Sequence, residues 1–374
     1  MSVSALGAAL KKHGVERPAL VLDWQAFQHN LTYLNDHLPT GYHRRIADKS
    51  LPSLDLLDRV LAGLHTQAIM SFHLPMTQQV LARFPHLDVL MGKPMPVGEV
   101  QRFLSSCSQA AQVTWLIDSE QRLAEYRALA DSGPPLRVAF EIDIGLGRGG
   151  FADPSALARA ASNTGALTVA GVMGYEAHVN ALPSLLGRGA RAQREAQARL
   201  QAFVDQLPME ARQIINTGGS MTALMLPKEG PGNDLTIGSA VVKPSHFDQS
   251  CNQVLKPALF VVTPVLKVHP HGLPGFPRLS KGLRRLHIIA PDIAFIYGGN
   301  WLAKPVWPFG LNNSPFYGPS SNQQGFTLPR GATTPSHVVL RPTQSEALIS
   351  HFPCIWVYRD GQISEQWPTL PPLA

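Results

Sequence analysis

Lys49 lies in the stretch HRRIADKSLPS, behind two arginines and the apolar pair Ile46 and Ala47, where an extended segment gives way to a helix. An amine there is either a solvated surface group or a nucleophile able to form a Schiff base with a carbonyl. Downstream, His73 and His178 offer imidazoles that can exchange protons near neutrality, Tyr175 offers a phenol and Arg148 a guanidinium. Two glycine-bearing turns follow: Thr217, Gly218, Gly219 and Ser220 in NTGGS, then Gly238 and Ser239 in DLTIGS. Such turns let backbone N–H groups approach an anion with no Cβ in the way. Singly, each residue has an ordinary structural reading. Their significance depends on whether the fold brings them to one place.

From Arg17 to about Ser250, short β-like runs alternate with amphipathic helical stretches. Eight runs begin at His43 (HRRIA), Gln67 (QAIMS), Leu87 (LDVLM), Val113 (VTWLI), Leu136 (LRVAFEID), Leu167 (LTVAGVMG), Gln213 (QIINT) and Asp234 (DLTIG). Helices between them include PSLDLLDRVLAGLH, with proline near its start, DSEQRLAEYRALA, which Asp118 or Ser119 can cap, and RGARAQREAQARLQAFVDQL. Eight alternations over roughly 200 residues predict an α/β fold, a (β/α)8 TIM-type barrel, with a doubly wound sheet as the competing architecture. In a barrel the loops after the strands build the active site. Every residue named above follows a strand: Lys49 the first, His73 the second, Arg148 the fifth, Tyr175 and His178 the sixth, NTGGS the seventh, Gly238 and Ser239 the eighth.

After Ser250 the chain turns β-rich, in ALFVVTPVLKVHP, RLHIIAP, SHVVLRP and FPCIWVYRDGQI, with RDG reading as a hairpin turn and no long amphipathic helix. The region from Gly310 to Thr334, rich in Asn, Ser, Pro and Gly, reads as a long loop. The expected domains are residues 17–250, the barrel, and residues 251–374, a smaller mainly-β C-terminal unit completed by residues 1–16.

Composition narrows the setting. The net charge is +6, but basic residues are scattered and dense only in HRRIADK and KGLRRLH, which argues against a nucleic-acid partner and favours small anionic ligands. Three cysteines, far apart and without CxxC spacing, argue against a disulfide framework or a thiolate metal site and point to a reducing cytoplasm. No apolar run approaches the roughly 20 residues that span a bilayer, and MSVSALGAALKKHG lacks a signal-peptide layout. The expectation is a soluble protein with no membrane partner.

Turns after the seventh and eighth strands are where barrels tend to hold a phosphate, and Ser220 and Thr222 add hydroxyls there. A lysine across the barrel mouth from that cradle suggests pyridoxal 5′-phosphate, whose aldehyde can bond to an amine and whose ring accepts electrons. At this point the chain resembles the fold-type III pyridoxal-phosphate enzymes, within them the D-threonine aldolase and D-serine dehydratase branch related to alanine racemase. RPALVLDWQAFQHNL is similar to the family's start, ADKS to its lysine motif and EIDIGLGRGGF to its Asp-x-Gly-x-x-Arg-x-Gly stretch. GVMGYEAHV, NTGGS and DLTIGSAVV resemble further blocks in the same order, and YRDGQISEQWP the usual ending. The resemblance implies that Lys49 carries the coenzyme, Arg148 approaches its phenolic oxygen, Tyr175 and His178 line its ring, and the two glycine turns hold its phosphate. It also implies an amino-acid substrate and a homodimer.

One departure bears on the chemistry. In that branch a Pro-x-His-x-Cys or Pro-x-His-x-Asp motif binds a divalent metal that contacts the substrate's β-hydroxyl. The corresponding stretch here, RPTQSEA, puts Gln344 and Glu346 at the ligand positions. Two oxygen donors at i and i+2 of a strand face the same way and suit Mg2+, Mn2+ or Ca2+ better than Zn2+. The alternative is that no metal binds and Glu346 contacts substrate or a neighbouring cation. His351 and Cys354, three apart in an expected strand, face opposite sides and are not assigned as ligands.

Several functions compete. GLGRGG, Gly145 to Gly150, fits G-x-G-x-x-G, with Glu176 where a ribose-binding acid would stand, but it follows the fifth strand of a series instead of the first. A coenzyme carrier or regulatory protein without turnover is another possibility; a β unit beyond the barrel favours an enzyme. Racemisation needs acid/base groups on both faces of the α-carbon, for which Lys49 and a β-unit tyrosine, Tyr297 or Tyr317, are candidates. Retro-aldol cleavage needs a base on the β-hydroxyl, His178 or His73, and a cation to acidify that hydroxyl; dehydration needs the same cation to help hydroxide leave. The hard oxygen donors favour a lyase that cleaves D-configured β-hydroxy-α-amino acids to glycine and an aldehyde, over a dehydratase or a racemase.

Overall fold

The computed structural model describes residues 3–181 and 188–371. Two compact units divide the chain: one takes Met1–Asn30, Val242–Asp248 and Leu255–Pro372, the other Leu31–Val241 with Gln249–Val254. The chain opens with α1 (Ala5–Lys12), β1 (Ala19–Asp23) and α2 (Trp24–His37). Eight parallel strands then close into a barrel: β2 (His43–Ala47), β3 (Ala68–Ser71), β4 (Asp88–Met91), β5 (Val113–Ile117), β6 (Arg137–Ile142), β7 (Thr168–Gly174), β8 (Ile214–Thr217) and β9 (Asp234–Ile237). Each starts within one residue of a run expected from the sequence. Pairing of β2 with β9, His43 opposite Asp234 and Ile46 opposite Ile237, seals the barrel and removes the doubly wound alternative.

The intervening helices are α3 (Leu54–Gly63), α4 (Leu74–Arg83), α5 (Val97–Ser106), α6 (Glu120–Ser132), α7 (Pro154–Ala161), α8 (His178–Ala181) and α9 (Arg188–Val204). Side-chain caps fix where they begin. Ser53 accepts the Leu56 N–H ahead of α3, Ser119 the Arg122 N–H ahead of α6, and Asp153 the Ala156 N–H ahead of α7, each satisfying a donor that the helix leaves open.

Inside the barrel, side chains lie in layers. Met70, Leu90, Leu116, Ala139, Ala170, Met173 and Ile214 come from six of the strands, β3 to β8, and pack together as one buried cluster. Nearer the strand starts, buried Arg45 bonds Asp234 and Asp88, Arg137 bonds Asp88 at 2.6 Å, and Asn216 donates to Asp234 and to Thr236. This ionic layer lies toward the N-terminal end of the barrel.

The other unit is a nine-stranded sheet in which β1 lies between β10 and β16. Its remaining strands are β10 (Leu259–Pro270), β11 (Asp292–Ile296), β12 (Ala303–Trp307), β13 (Asn312–Asn313), β14 (Gly325–Leu328), β15 (His337–Pro342), β16 (Cys354–Arg359) and β17 (Gln362–Pro368). Strand β1 runs antiparallel to β10 and parallel to β16. Leu6, Leu10, Val21, Phe260, Val262, Val339, Trp356 and Tyr358 form its core. The expected hairpin joins β16 to β17 through Asp360 and Gly361, both at positive φ, as a primed turn requires.

Several sequence expectations for this unit are corrected. RLHIIAP is not a strand: it finishes α10 (Pro277–Arg285) and continues as a turn, with Leu286 and Ile288 exposed. That helix is also one the sequence reading left out. Residues 310–334 contain β13 and β14 and so are not one uninterrupted loop. Strand β1 belongs to the sheet although it falls within residues 17–250, because its pairing partners are β10 and β16. Among the described residues, no helix is long and apolar enough to cross a membrane.

Candidate active site

Contacts between neighbouring loops link the C-terminal ends of six barrel strands. After β6, Asp143 accepts the N–H groups of Gly145 and Gly147 at 2.9 and 3.0 Å. Burial raises the Asp143 carboxyl, but these hydrogen bonds outweigh it and hold the group below the usual range. The loop projects Arg148, whose guanidinium sits 5.5 Å from the centre of the Tyr175 ring and 3.8 Å from Glu141. Tyr175, after β7, lies against the NTGGS turn after β8: a Cβ at Gly219 would stand 2.6 Å from its ring. His178 opens α8 beside Gly145, where a Cβ would stand 3.0 Å from Nε2, and its buried Nδ1 has no hydrogen-bond partner among the described residues.

The two glycine turns differ from expectation. Gly218 N–H donates to Glu176 at 3.2 Å and Gly219 N–H to Thr222 at 3.1 Å, so neither points at an open anion site. Glu176, fully buried, also accepts the Thr217 hydroxyl at 2.8 Å and the Thr222 hydroxyl at 2.6 Å. Two further backbone donors converge one strand further on. The N–H groups of Gly238 and Ala240 both aim at Ser220 Oγ, at 2.9 and 3.1 Å. Two backbone donors are thus fixed on one hydroxyl oxygen, and a ligand oxygen would reach them only where the Ser220 side chain turned away. Packing is tight at Gly238, where a Cβ would stand 3.0 Å from Ser50 and Ala47.

Lys49 lies in the short 3-10 turn Asp48–Ser50 that follows β2. Because β2 pairs with β9 and Gly238 presses on Ser50, the lysine stands beside the Gly238 turn, where the sequence reading had it across the mouth. Its Nζ sits 4.1 Å over the Phe72 ring. His73, which precedes α4, is held below the usual imidazole range by burial and then by the charges of Lys93 and Lys49, so it is a neutral base at neutrality. Lys49, His73, Arg148, Tyr175, His178, Ser220 and Gly238 are thus joined by contacts around one end of the barrel. Ser239 is buried in the turn after β9.

A sequence profile described as alanine racemase, N-terminal domain, matches residues 22–243. The chain belongs to that family, the barrel of the fold-type III pyridoxal-phosphate enzymes. Its fold is similar to that of D-threonine aldolase from Filomicrobium marinum, at TM-score 0.72 and 16% identity over 94% of this chain and 96% of that one. D-threo-3-hydroxyaspartate dehydratase from Delftia sp. HT23 gives 0.71 and 17%, over 96% and 98%. Alanine racemase from E. faecalis gives 0.65 and 17%, over 87% and 88%. No curated protein sequence matches the chain.

Gln344 and Glu346 do not share a strand. Gln344 follows β15 in a loop, 3.4 Å from the His246 ring, while Glu346 opens α11 (Glu346–Ile349) and accepts from the Ser345 hydroxyl. The strand alternation that would have aimed both at one ion is absent. His351 sits in a turn and Cys354 starts β16, so their expected shared strand is corrected too. Among the described residues, no group of three or more His, Cys, Asp or Glu side chains could hold a metal. The dinucleotide alternative is weakened as well: Asp143 takes the N–H groups of Gly145 and Gly147, and Glu176 is enclosed by Thr217, Gly218 and Thr222.

Proposed function

We propose that the chain is a pyridoxal-phosphate lyase that cleaves D-configured β-hydroxy-α-amino acids to glycine and an aldehyde. The observation that carries the coenzyme reading is the adjacency of Lys49 to the Gly238 turn, which sets an amine next to two backbone donors aimed at one oxygen. Lys49 would hold the coenzyme, Ser220 with the Gly238 and Ala240 N–H groups its phosphate, and Tyr175 and Arg148 its ring. Pyridoxal phosphate, when bound, supplies an electron sink for bonds broken at the substrate's α-carbon. The substrate class is supported by the names of two similar structures, a D-threonine aldolase and a D-threo-3-hydroxyaspartate dehydratase.

In this reading His73 or His178 takes the proton of the β-hydroxyl, the bond between Cα and Cβ breaks with its electron pair left on the Cα side, the β-oxygen leaves as the aldehyde carbonyl, and return of a proton to Cα completes glycine. Neutral His73 is suited to that acceptance. No step is assigned to a cation at Gln344 and Glu346. Racemisation is the second reading, favoured by Tyr297 and Tyr317, which are 47% and 37% exposed and so accessible to another subunit's substrate.

Borohydride reduction of the holoenzyme followed by peptide mapping should find the coenzyme on Lys49; label on another lysine overturns the assignment. Incubation with D-threonine, D-serine and D-alanine, with and without chelator, separates the reactions. An aldehyde and glycine from D-threonine, with or without chelator, support the proposal. A keto acid supports dehydration, and the opposite enantiomer of alanine at a comparable rate replaces the lyase by a racemase.

A further inference from the structure

Asp48 and Lys49 are consecutive in the turn after β2, and the carboxyl has no solvent exposure. Ser71, at the end of β3, donates to Asp48 Oδ2; Ser71 and Thr77 hydroxyls lie 2.6 Å apart, and Thr77 donates to the His73 carbonyl at 3.0 Å. Asp48, Ser71 and Thr77 are all fully buried. This relay fixes the carboxyl from behind, through β3 and the first turn of α4. Its other oxygen, Oδ1, is buried without a hydrogen-bond partner among the described residues. A carboxylate so enclosed normally needs an arginine or a metal. The cation in its own turn is the next residue, Lys49.

We propose that Asp48 is a positioning residue for Lys49, its buried carboxylate serving as the counter-charge that sets the proton affinity of the Lys49 nitrogen. The inference rests on the reading of Lys49 as the coenzyme-bearing amine. Other groups act around the same nitrogen: Phe72 lies beneath it, and Lys49 and Lys93 both bear on His73. Burial, opposed by hydrogen bonds from Ser71 and the Lys49 N–H and by the Lys49 charge, pushes the Asp48 carboxyl up to about 7. The group is therefore neutral below that pH and anionic above it, and only the anion stabilises positive charge on its neighbour.

The test is a pH titration of the visible absorption of the holoenzyme, which reports the protonation of the nitrogen joined to the coenzyme. Asp48→Asn should lower the midpoint by about half to one unit, a roughly three- to tenfold change in acid constant. Ser71→Ala, which loosens the carboxyl and disfavours its anion, should shift it the same way by less. An unchanged midpoint in folded Asp48→Asn overturns the inference. Where that variant does not fold, Ser71→Ala alone decides, and an unchanged midpoint again overturns it. If the wild-type coenzyme maps to another lysine, the functional reading falls, yet the inference is still decided by acetylation of the Lys49 amine against pH in the coenzyme-free chain. There a lower amine midpoint in Asp48→Asn supports it and an equal one overturns it.

Discussion

Glu176 shows how one buried side chain can shape a turn that the chemistry uses only indirectly. Its two oxygens accept from the Thr217 hydroxyl, the Gly218 N–H and the Thr222 hydroxyl, and of these only the Gly218 N–H must always donate. Glu176→Gln keeps the shape but brings an NH2 group against donors. The two hydroxyls can rotate to accept; the Gly218 N–H cannot. The expected result is a loss of about 1–3 kcal/mol of stability and a weakening of coenzyme affinity by about tenfold, because Ser220 two residues on presents the oxygen to Gly238 and Ala240. Absorbance titration of the coenzyme-free protein checks the affinity and thermal unfolding the stability; unchanged values of both contradict this role. Glu176 was visible in the sequence only as the acid of a dinucleotide site. Nothing in GVMGYEAHV announces burial, since its partners lie more than forty residues downstream.

Among elements, the barrel depends on its N-terminal ionic layer as well as on its apolar one. Arg45 is 2% exposed and meets Asp88 and Asp234 at 2.8 and 2.9 Å. Burial alone would raise the Asp88 carboxyl, but Arg45 and Arg137 more than offset this and hold it below its ordinary value. Its stabilisation is therefore present above the ordinary carboxyl range and lost as pH falls through the folded-state value. Arg45→Met takes the charged partner from buried Asp234, which keeps Asn216, while Asp88 keeps Arg137; it should cost about 3 kcal/mol at pH 7, with the acid side of the stability profile flattened, and denaturant unfolding from pH 3 to 7 measures both. The strands carrying this layer were legible because each is a short apolar run between helices, a local signal. The β unit was less so. Strand β1 pairs with residues far along the chain, β13 and β14 have polar composition, and the apolar residues of RLHIIAP are exposed at the end of a basic helix. The lysine was placed on the correct strand, but its neighbour across the closure, β9, follows from barrel geometry and not from sequence order.

For the whole molecule, the question is whether one chain suffices. The β unit exposes Phe276, Leu286, Ile288 and Phe309 at 61%, 72%, 64% and 94%, along with Tyr297 and Tyr317. Apolar side chains this exposed gain from being covered by another protein surface. Self-association satisfies that need without a second gene product, and most soluble oligomers are symmetric pairs of one chain. We therefore expect a homodimer in which the β unit of one subunit completes the barrel mouth of the other, with a mass twice 40.6 kDa by light scattering at micromolar concentration. Activity should then fall on dilution in step with dissociation, because each site would lose the groups lent by its partner. Coenzyme attachment at Lys49 should survive dilution, since Lys49, Ser220 and the Gly238 turn belong to one barrel. A monomer that keeps full activity at micromolar concentration would contradict the shared site.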